Sequence, residues 1–169
     1  NRLEANIHRT VMSINLSAVI NNVNAFKRRL KPNTKVMAMV KAFSYGSGSY
    51  EIAQTLEGHG VDYFAVAYVD EGILLRKKGI QLPILILNPE LTSLDAMLHY
   101  DLEPEVYSME LLKQFAQRIQ DTSTKLKIHI KLDTGMHRLG VEEKNLAEFS
   151  DYLVSAGCFT VKSIFSHLV

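Results

Sequence analysis

The chain has 169 residues, of which 47% are hydrophobic and 22% charged, and 19 basic against 18 acidic side chains leave a formal charge of +1. That length suits one domain with a single core, and the balance lies well outside the disordered class. Nucleic acid gains no electrostatic foothold, because the densest basic cluster, Lys27, Arg28, Arg29 and Lys31, is one short run that reads as a solvated helix end.

The chain opens at Asn1 rather than a methionine, without a charged-then-apolar secretory leader, and reads as a segment of something longer. Asn15 precedes a first helix in which Leu16, Val19, Ile20, Val23, Phe26 and Leu30 recur at three- and four-residue spacing until Pro32 closes it. Residues 36–40 then form a continuous apolar run, too short for a helix and apolar on both faces, as in a strand covered on each side of a parallel sheet. Similar runs recur at 63–67, 83–87, 103–107, 127–132 and 159–167, which predicts six strands. None approaches the ~18 residues of a membrane span, so a soluble cytoplasmic protein is expected.

Helical stretches with readable ends separate the strands. Ile52, Ala53 and Leu56 stop at Gly58; Asp70 is placed to cap Ile73 to Lys78 before Gly79, and Ser93 to cap the next helix. Ser108 opens a helix whose Leu111, Leu112, Phe115 and Ile119 share a face, and Leu146, Phe149 and Leu153 share another before Gly157. Cys158, the single cysteine, excludes an internal disulfide or cysteine-clustered zinc site and reads as a small buried hydrophobe. Regular alternation of strand and helix calls for right-handed βαβ units. Both an open doubly wound sheet and part of an eight-stranded barrel fit that rhythm.

Three segments carry ionisable groups to strand C-terminal ends, where parallel α/β folds place their sites. Lys41 closes the first strand and is followed by Tyr45-Gly46-Ser47-Gly48 and a helix start, a loop able to receive phosphate but lacking the third glycine of a dinucleotide fingerprint. Asp70 or Glu71 could imitate the ribose-binding acid of such a site. In the fifth strand Ile128, Ile130 and Leu132 point one way and His129, Lys131 and Asp133 the other, with Arg138 following. An ionisable face on a buried strand lines a cavity where charges need partners; the plain alternative is a salt bridge from Asp133 to a Lys or Arg. Asp133-Thr134-Gly135 also occurs in aspartic proteases, whose predominantly β folds this alternation contradicts. His167 follows Ser166 at the end of the sixth strand.

Val40-Lys41-Ala42 with Tyr45-Gly46-Ser47-Gly48 resembles the pyridoxal-phosphate lysine motif of alanine racemases, and Lys131-Leu132-Asp133-Thr134-Gly135-Met136-His137-Arg138-Leu139-Gly140 resembles their second signature. Asn15-Leu16-Ser17-Ala18 with Asn21 and Asn22, Phe64-Ala65-Val66-Ala67 with Glu71, and Ser166-His167 extend the resemblance over nearly the whole chain. It implies an incomplete parallel (β/α) barrel of TIM type, six of eight strands, over 15–169, with 1–14 as an N-terminal strand or linker associated with a further domain. It implies pyridoxal 5'-phosphate as cofactor, a small amino-acid substrate, a homodimer in the full-length enzyme, and interconversion of L- and D-alanine for peptidoglycan.

By the same resemblance Lys41 holds the cofactor covalently and is one of two acid/base groups at the substrate Cα. Tyr45 helps hold the cofactor, Arg138 bonds its phenolic oxygen, His167 lies against its ring, and Met136 approaches the substrate carboxylate. Lys131 aligns with a lysine that many members carry as a carbamate, an anion able to orient Arg138. Phe43, Ser47 and His137 stand where the family commonly has asparagine, histidine and glycine. The second catalytic group, a tyrosine, and the main phosphate loop are expected beyond Val169, and an N-terminal fusion to a cell-wall precursor ligase would fit the missing methionine. The alternatives are a racemase for another amino acid and a non-catalytic pyridoxal-phosphate-binding barrel, which generally lacks the Asp-Thr-Gly-Met segment.

Overall fold

The computed structural model describes residues 12–119 and 125–168; the strand expected over 1–14 falls mostly outside them. Helix α1 (Leu16–Lys27) starts where the Asn15 side chain accepts the Ala18 N–H at 3.1 Å. Six strands follow: β1 (Met37–Met39), β2 (Tyr63–Val66), β3 (Ile84–Ile86), β4 (Leu102–Val106), β5 (Leu126–Leu132) and β6 (Phe159–Ser166). Between them lie the short turn α2 (Lys41–Tyr45) and helices α3 (Ser49–Glu57), α4 (Val69–Lys77), α5 (Leu94–His99), α6 (Met109–Ile119) and α7 (Leu146–Ala156). Ser108 caps α6 as expected, its hydroxyl accepting the Leu111 N–H at 3.2 Å. Asp70 does not cap α4 but lies in its first turn, because the helix begins at Val69 with Tyr68 as its N-cap.

The strands pair in the order β1-β2-β3-β4-β5-β6, every pair parallel. A doubly wound sheet reverses its strand order at a switch point, and this sheet never does. With right-handed crossovers, sequential order keeps every helix on one side and leaves the other face to line an interior. The architecture is therefore an incomplete (β/α) barrel. Phe64, Ile84, Ile86, Leu102 and Ile128 point outward into a core shared with Leu112 and Phe115. Each such fully buried side chain contributes about 1.5–3 kcal/mol relative to exposure.

Polar groups complete the helix-side layer at the N-terminal strand ends. The Arg76 guanidinium donates to the carbonyls of Ile80, Leu82, Tyr100 and Asp101 at 2.7–3.2 Å, tying the chain entering β3 to the chain entering β4. Burial lowers its pKa from the usual arginine value, and the four carbonyls solvate the charge in place of water. Helix α1 contributes less than its periodicity promised: Val19 and Val23 pack on the core, whereas Phe26 and Leu30 are exposed. Arg28, Arg29 and Lys31 lie in water just beyond its end, as expected for a solvated helix end. Cys158 is only half-buried.

A candidate cofactor site at the strand C-terminal ends

Lys41, Tyr45, Lys131, Arg138 and His167 all line one cavity of about 530 Å³, walled by Met37, Met39, Leu85, Leu87 and Phe165. Five of the six residues that the family resemblance assigns to the site thus meet at the C-terminal end of the strands. Met136 is half-buried and does not line the cavity.

Lys41 is placed by unusual backbone. The Val40 N–H donates to Ala65 O at 2.9 Å, extending the β1–β2 pairing, and the chain then coils left-handed. Ala42, Phe43, Ser44 and Tyr45 have φ of 50°, 56°, 50° and 56°, a region that costs non-glycine residues roughly 1–2 kcal/mol each. The sequence predicts a glycine loop here, and nothing in Ala-Phe-Ser-Tyr signals left-handed geometry. Gly46 and Gly48, at φ 87° and 92°, carry the chain out of the turn. A Cβ on Gly48 would also come within 2.8 Å of Glu51 Oε2.

Glu71 holds the turn. Its Oε1 accepts the Ala42 N–H at 2.6 Å, while Oε2 accepts the N–H groups of Ala67 and Tyr68 at 2.7 and 3.1 Å. One carboxylate therefore joins the residue after Lys41 to the end of β2. This commitment to backbone leaves Glu71 no role as a ribose acid, and Asp70 lies exposed on α4. The Ser49 hydroxyl adds a bond to Val40 O at 3.2 Å.

The ionisable face of β5 does point inward, and it meets two carboxylates that alternation places together on β4. His129 Nε2 donates to Glu103 Oε2 at 2.8 Å, its Nδ1 lies 2.7 Å from Ser163 Oγ, and the Tyr63 hydroxyl donates to Glu103 Oε2 at 3.0 Å. A β-bulge makes the Ser163 contact: Ile128 pairs with Val161 but His129 with Ser163, so Lys162 is the extra residue that changes the phase of β6. Burial, then the Glu103 charge and hydrogen bond, raise the Tyr63 pKa above the usual phenol range, which keeps the hydroxyl a donor. Lys131 Nζ lies 3.6 Å from Glu105 Oε1, and Glu105 is 0% exposed. Burial raises the Glu105 pKa to about 7, an increase that the Lys131 and Arg138 charges offset only in part. Neither carboxylate was singled out from the sequence, although Glu103-Pro104-Glu105 opposite Lys127, His129 and Lys131 carries the period-two signal that would have shown them.

Asp133 departs from the expected pattern. It stands beyond the end of β5, outside the Lys41 cavity, in a separate depression with His137 and Glu142. It makes no salt bridge to a Lys or Arg among the described residues; its carboxylate accepts the N–H groups of Gly135 and His137 at 3.1 and 3.0 Å and lies 3.0 Å from His137 Nδ1. Those bonds, the backbone one from His137 foremost, hold its pKa below the usual range. The loop they close returns to β5, where the Val141 N–H donates to Lys131 O at 2.8 Å. His137 has φ 51°, a physical reason for glycine at such a position. Gly140 is sterically required, since a Cβ there would lie 2.4 Å from the Asp133 nitrogen.

Sequential parallel strands with a charged cavity at their C-terminal ends define a (β/α)-barrel protein of the kind whose chemistry sits on strand-end loops. The chain belongs to the alanine racemase N-terminal domain family, whose model matches residues 14–169. An alanine racemase of Synechocystis is 37% identical over 164 residues, covering 95% of this chain and 44% of that protein. A serine/alanine racemase of Enterococcus gallinarum is 36% identical over 165 residues, covering 96% and 22%. Among solved structures, an alanine racemase of Clostridium difficile 630 superposes with TM-score 0.87 at 30% identity, over 95% of this chain and 44% of that one. The alanine racemase of E. faecalis gives 0.86 at 34% identity, over 92% and 43%. The chain thus spans less than half the length of these relatives.

Two outcomes follow from the geometry. Glu71→Ala strips three backbone donors of a charged acceptor at about 1.5–3 kcal/mol each, less where water replaces it. A loss of roughly 3 kcal/mol in denaturant unfolding is expected, and a loss under 1 would show that Glu71 does not hold the Lys41 turn. Because folding lifts the Glu105 pKa to about 7, the native chain binds more protons than the unfolded chain between about pH 4.5 and 7, so stability falls as pH rises through that window. The drop is of order 3 kcal/mol, and unfolding curves of Glu105→Gln should lack this component.

Proposed function

We propose that this chain is the N-terminal barrel portion of a cytoplasmic pyridoxal-phosphate-dependent racemase that interconverts L- and D-alanine and supplies D-alanine for peptidoglycan. One observation carries the reading: a primary amine and a phenol from the turn after β1, a guanidinium from the loop after β5 and an imidazole after β6 converge on one cavity at the strand ends. The match to alanine racemases over 14–169 supports it. It also favours a racemase over a non-catalytic carrier of the same cofactor.

The lining suits pyridoxal phosphate. About 530 Å³ lies within the 300–1,000 Å³ of small-molecule pockets, and its apolar walls would pack on an aromatic ring while its cations would neutralise phenolic and phosphate oxygens. When bound, the cofactor supplies an electron sink that makes the substrate Cα–H acidic. Lys41 would hold it and move a proton at one face of Cα. Tyr45 and His167 would flank it, and Arg138 would donate to its phenolic oxygen and meet the substrate carboxylate, a contact the geometry does not extend to Met136. The left-handed turn fixes the Lys41 backbone before any ligand arrives, so binding need not order that segment. Inverting a stereocentre in place needs an acid and a base on opposite faces. The second group and a homodimeric assembly belong to the proposal, since the chain spans under half of its relatives.

The complete protein should show a visible cofactor band that borohydride fixes to the peptide containing Lys41 and that Lys41→Ala abolishes; labelling at Lys131 instead would overturn the assignment. L-Serine assayed beside L-alanine distinguishes the two substrates carried in the names of the relatives. Residues 1–169 alone, supplied with pyridoxal phosphate, should racemise alanine far more slowly than the complete enzyme. Turnover within about tenfold, ~1.4 kcal/mol in barrier, would mean that no second catalytic group lies outside this segment.

A further inference from the structure

Glu105 is a side chain that neither the core nor the proposed chemistry uses. It is wholly buried on the inward face of β4, beneath the cavity floor, and among the described residues neither carboxylate oxygen accepts a hydrogen bond. Glu103, two residues earlier on the same face, is by contrast satisfied by His129 and Tyr63. The groups that act on Glu105 are cationic: Lys131 Nζ at 3.6 Å, and Arg138, whose charge also reaches it. Both cations line the cavity.

A buried carboxylate without hydrogen bonds is expensive, and a sequence stabilised only by packing would place an apolar side chain there. A buried lysine is equally unfavourable without an anion, and Lys131, 8% exposed, and Glu105 answer each other, while Arg138 adds a second, exposed cation at the same cavity. From this geometry we infer that Glu105 is a positioning residue: its carboxylate is the counter-charge that keeps Lys131 free of a carbamate and sets the direction of the Lys131–Arg138 pair toward the bound cofactor. Lys131 then needs no carbamate, because the negative charge that a carbamate would bring is already supplied from β4. Adding one would set two anions against each other in a site with 0% exposure at Glu105. The inference rests on the cavity being the pyridoxal-phosphate site, but its first test needs no cofactor.

The complete protein, equilibrated with ¹³C-bicarbonate at about pH 8, where Glu105 is ionised, is examined by ¹³C NMR for a lysine carbamate. None is expected. A carbamate resonance that Lys131→Arg removes would overturn the inference while leaving the cofactor reading intact. The cofactor arm compares wild type, Glu105→Gln and Glu105→Asp for pyridoxal-phosphate affinity and for the position of the visible band. Glu105→Gln is expected to weaken binding by at least tenfold and to shift the band, with partial return of both in Glu105→Asp. Affinity within about threefold of wild type and an unmoved band in Glu105→Gln would also overturn it. Failure of wild type itself to take up the cofactor would instead defeat the reading of the cavity. Should Glu105→Gln fail to fold, the carbamate measurement on wild type still decides.

Discussion

Charge buried inside a barrel must be matched side chain by side chain, because burial removes the water that would otherwise share the task. Helices cover the outer face of this sheet, so whatever the inner face carries is compensated by its own strands. β4 brings two carboxylates, β5 a lysine, a histidine and a second lysine, and β6 a serine whose alignment depends on a bulge. Glu103 resolves into hydrogen bonding with Tyr63 and His129, with Lys127 Nζ 4.0 Å from its other oxygen, and Glu105 into ion pairing with Lys131. The first arrangement is deep and closed, whereas the second opens upward onto the cavity. That gradient from saturated to unsaturated polar groups is what makes the C-terminal end of the barrel a site and the layer beneath it a foundation.

A second constraint acts at β1. Four consecutive left-handed residues cost on the order of 5 kcal/mol, a large fraction of what a domain of this size holds in reserve. The three hydrogen bonds to Glu71 are of comparable worth, so the turn and its clamp form one unit. A relaxed loop would carry Lys41 on a flexible tether; the strained turn presents it from a strand that is itself hydrogen-bonded to β2 up to Val40. Strain held at such a position is characteristic of pre-organised sites.

Much of this was legible in the sequence because it rests on period. Apolar runs of strand length, helical spacing between them and capping residues such as Asn15 and Ser108 gave six strands and their order of appearance, with ends correct to one or two residues. Strand order in space was not legible, since alternation is common to open sheets and barrels. The Lys41 turn was hidden because Ala-Phe-Ser-Tyr has no left-handed propensity; only distant contacts from Glu71 impose it. Asp133 was misplaced because strict alternation was carried one residue past the end of β5, where the chain already bends to bond with itself. Glu103 and Glu105 were visible as an i, i+2 pair but carry no meaning until β4 is known to lie beside β5.

The cavity is assembled from the two ends of the sheet as much as from its middle. Lys41 and Tyr45 follow the first strand, and His167 follows the sixth, with Lys131 and Arg138 between them. In an open sheet of sequential strands β1 and β6 are the farthest apart, so a shared cavity requires the sheet to curve until its edges face one another. Curvature here has a cause in the lining: Met37, Met39, Leu85 and Phe165 present apolar surface inward above the buried ion pairs, and drawing β1 toward β6 removes that surface from water. Met37 and Met39 nevertheless remain 41% and 38% exposed, so among the described residues the closure is partial. The groups that would hold the cofactor are therefore fixed by hydrogen bonds and ion pairs within this sheet. The space above Cα, where one amino acid is distinguished from another, lies at its open side.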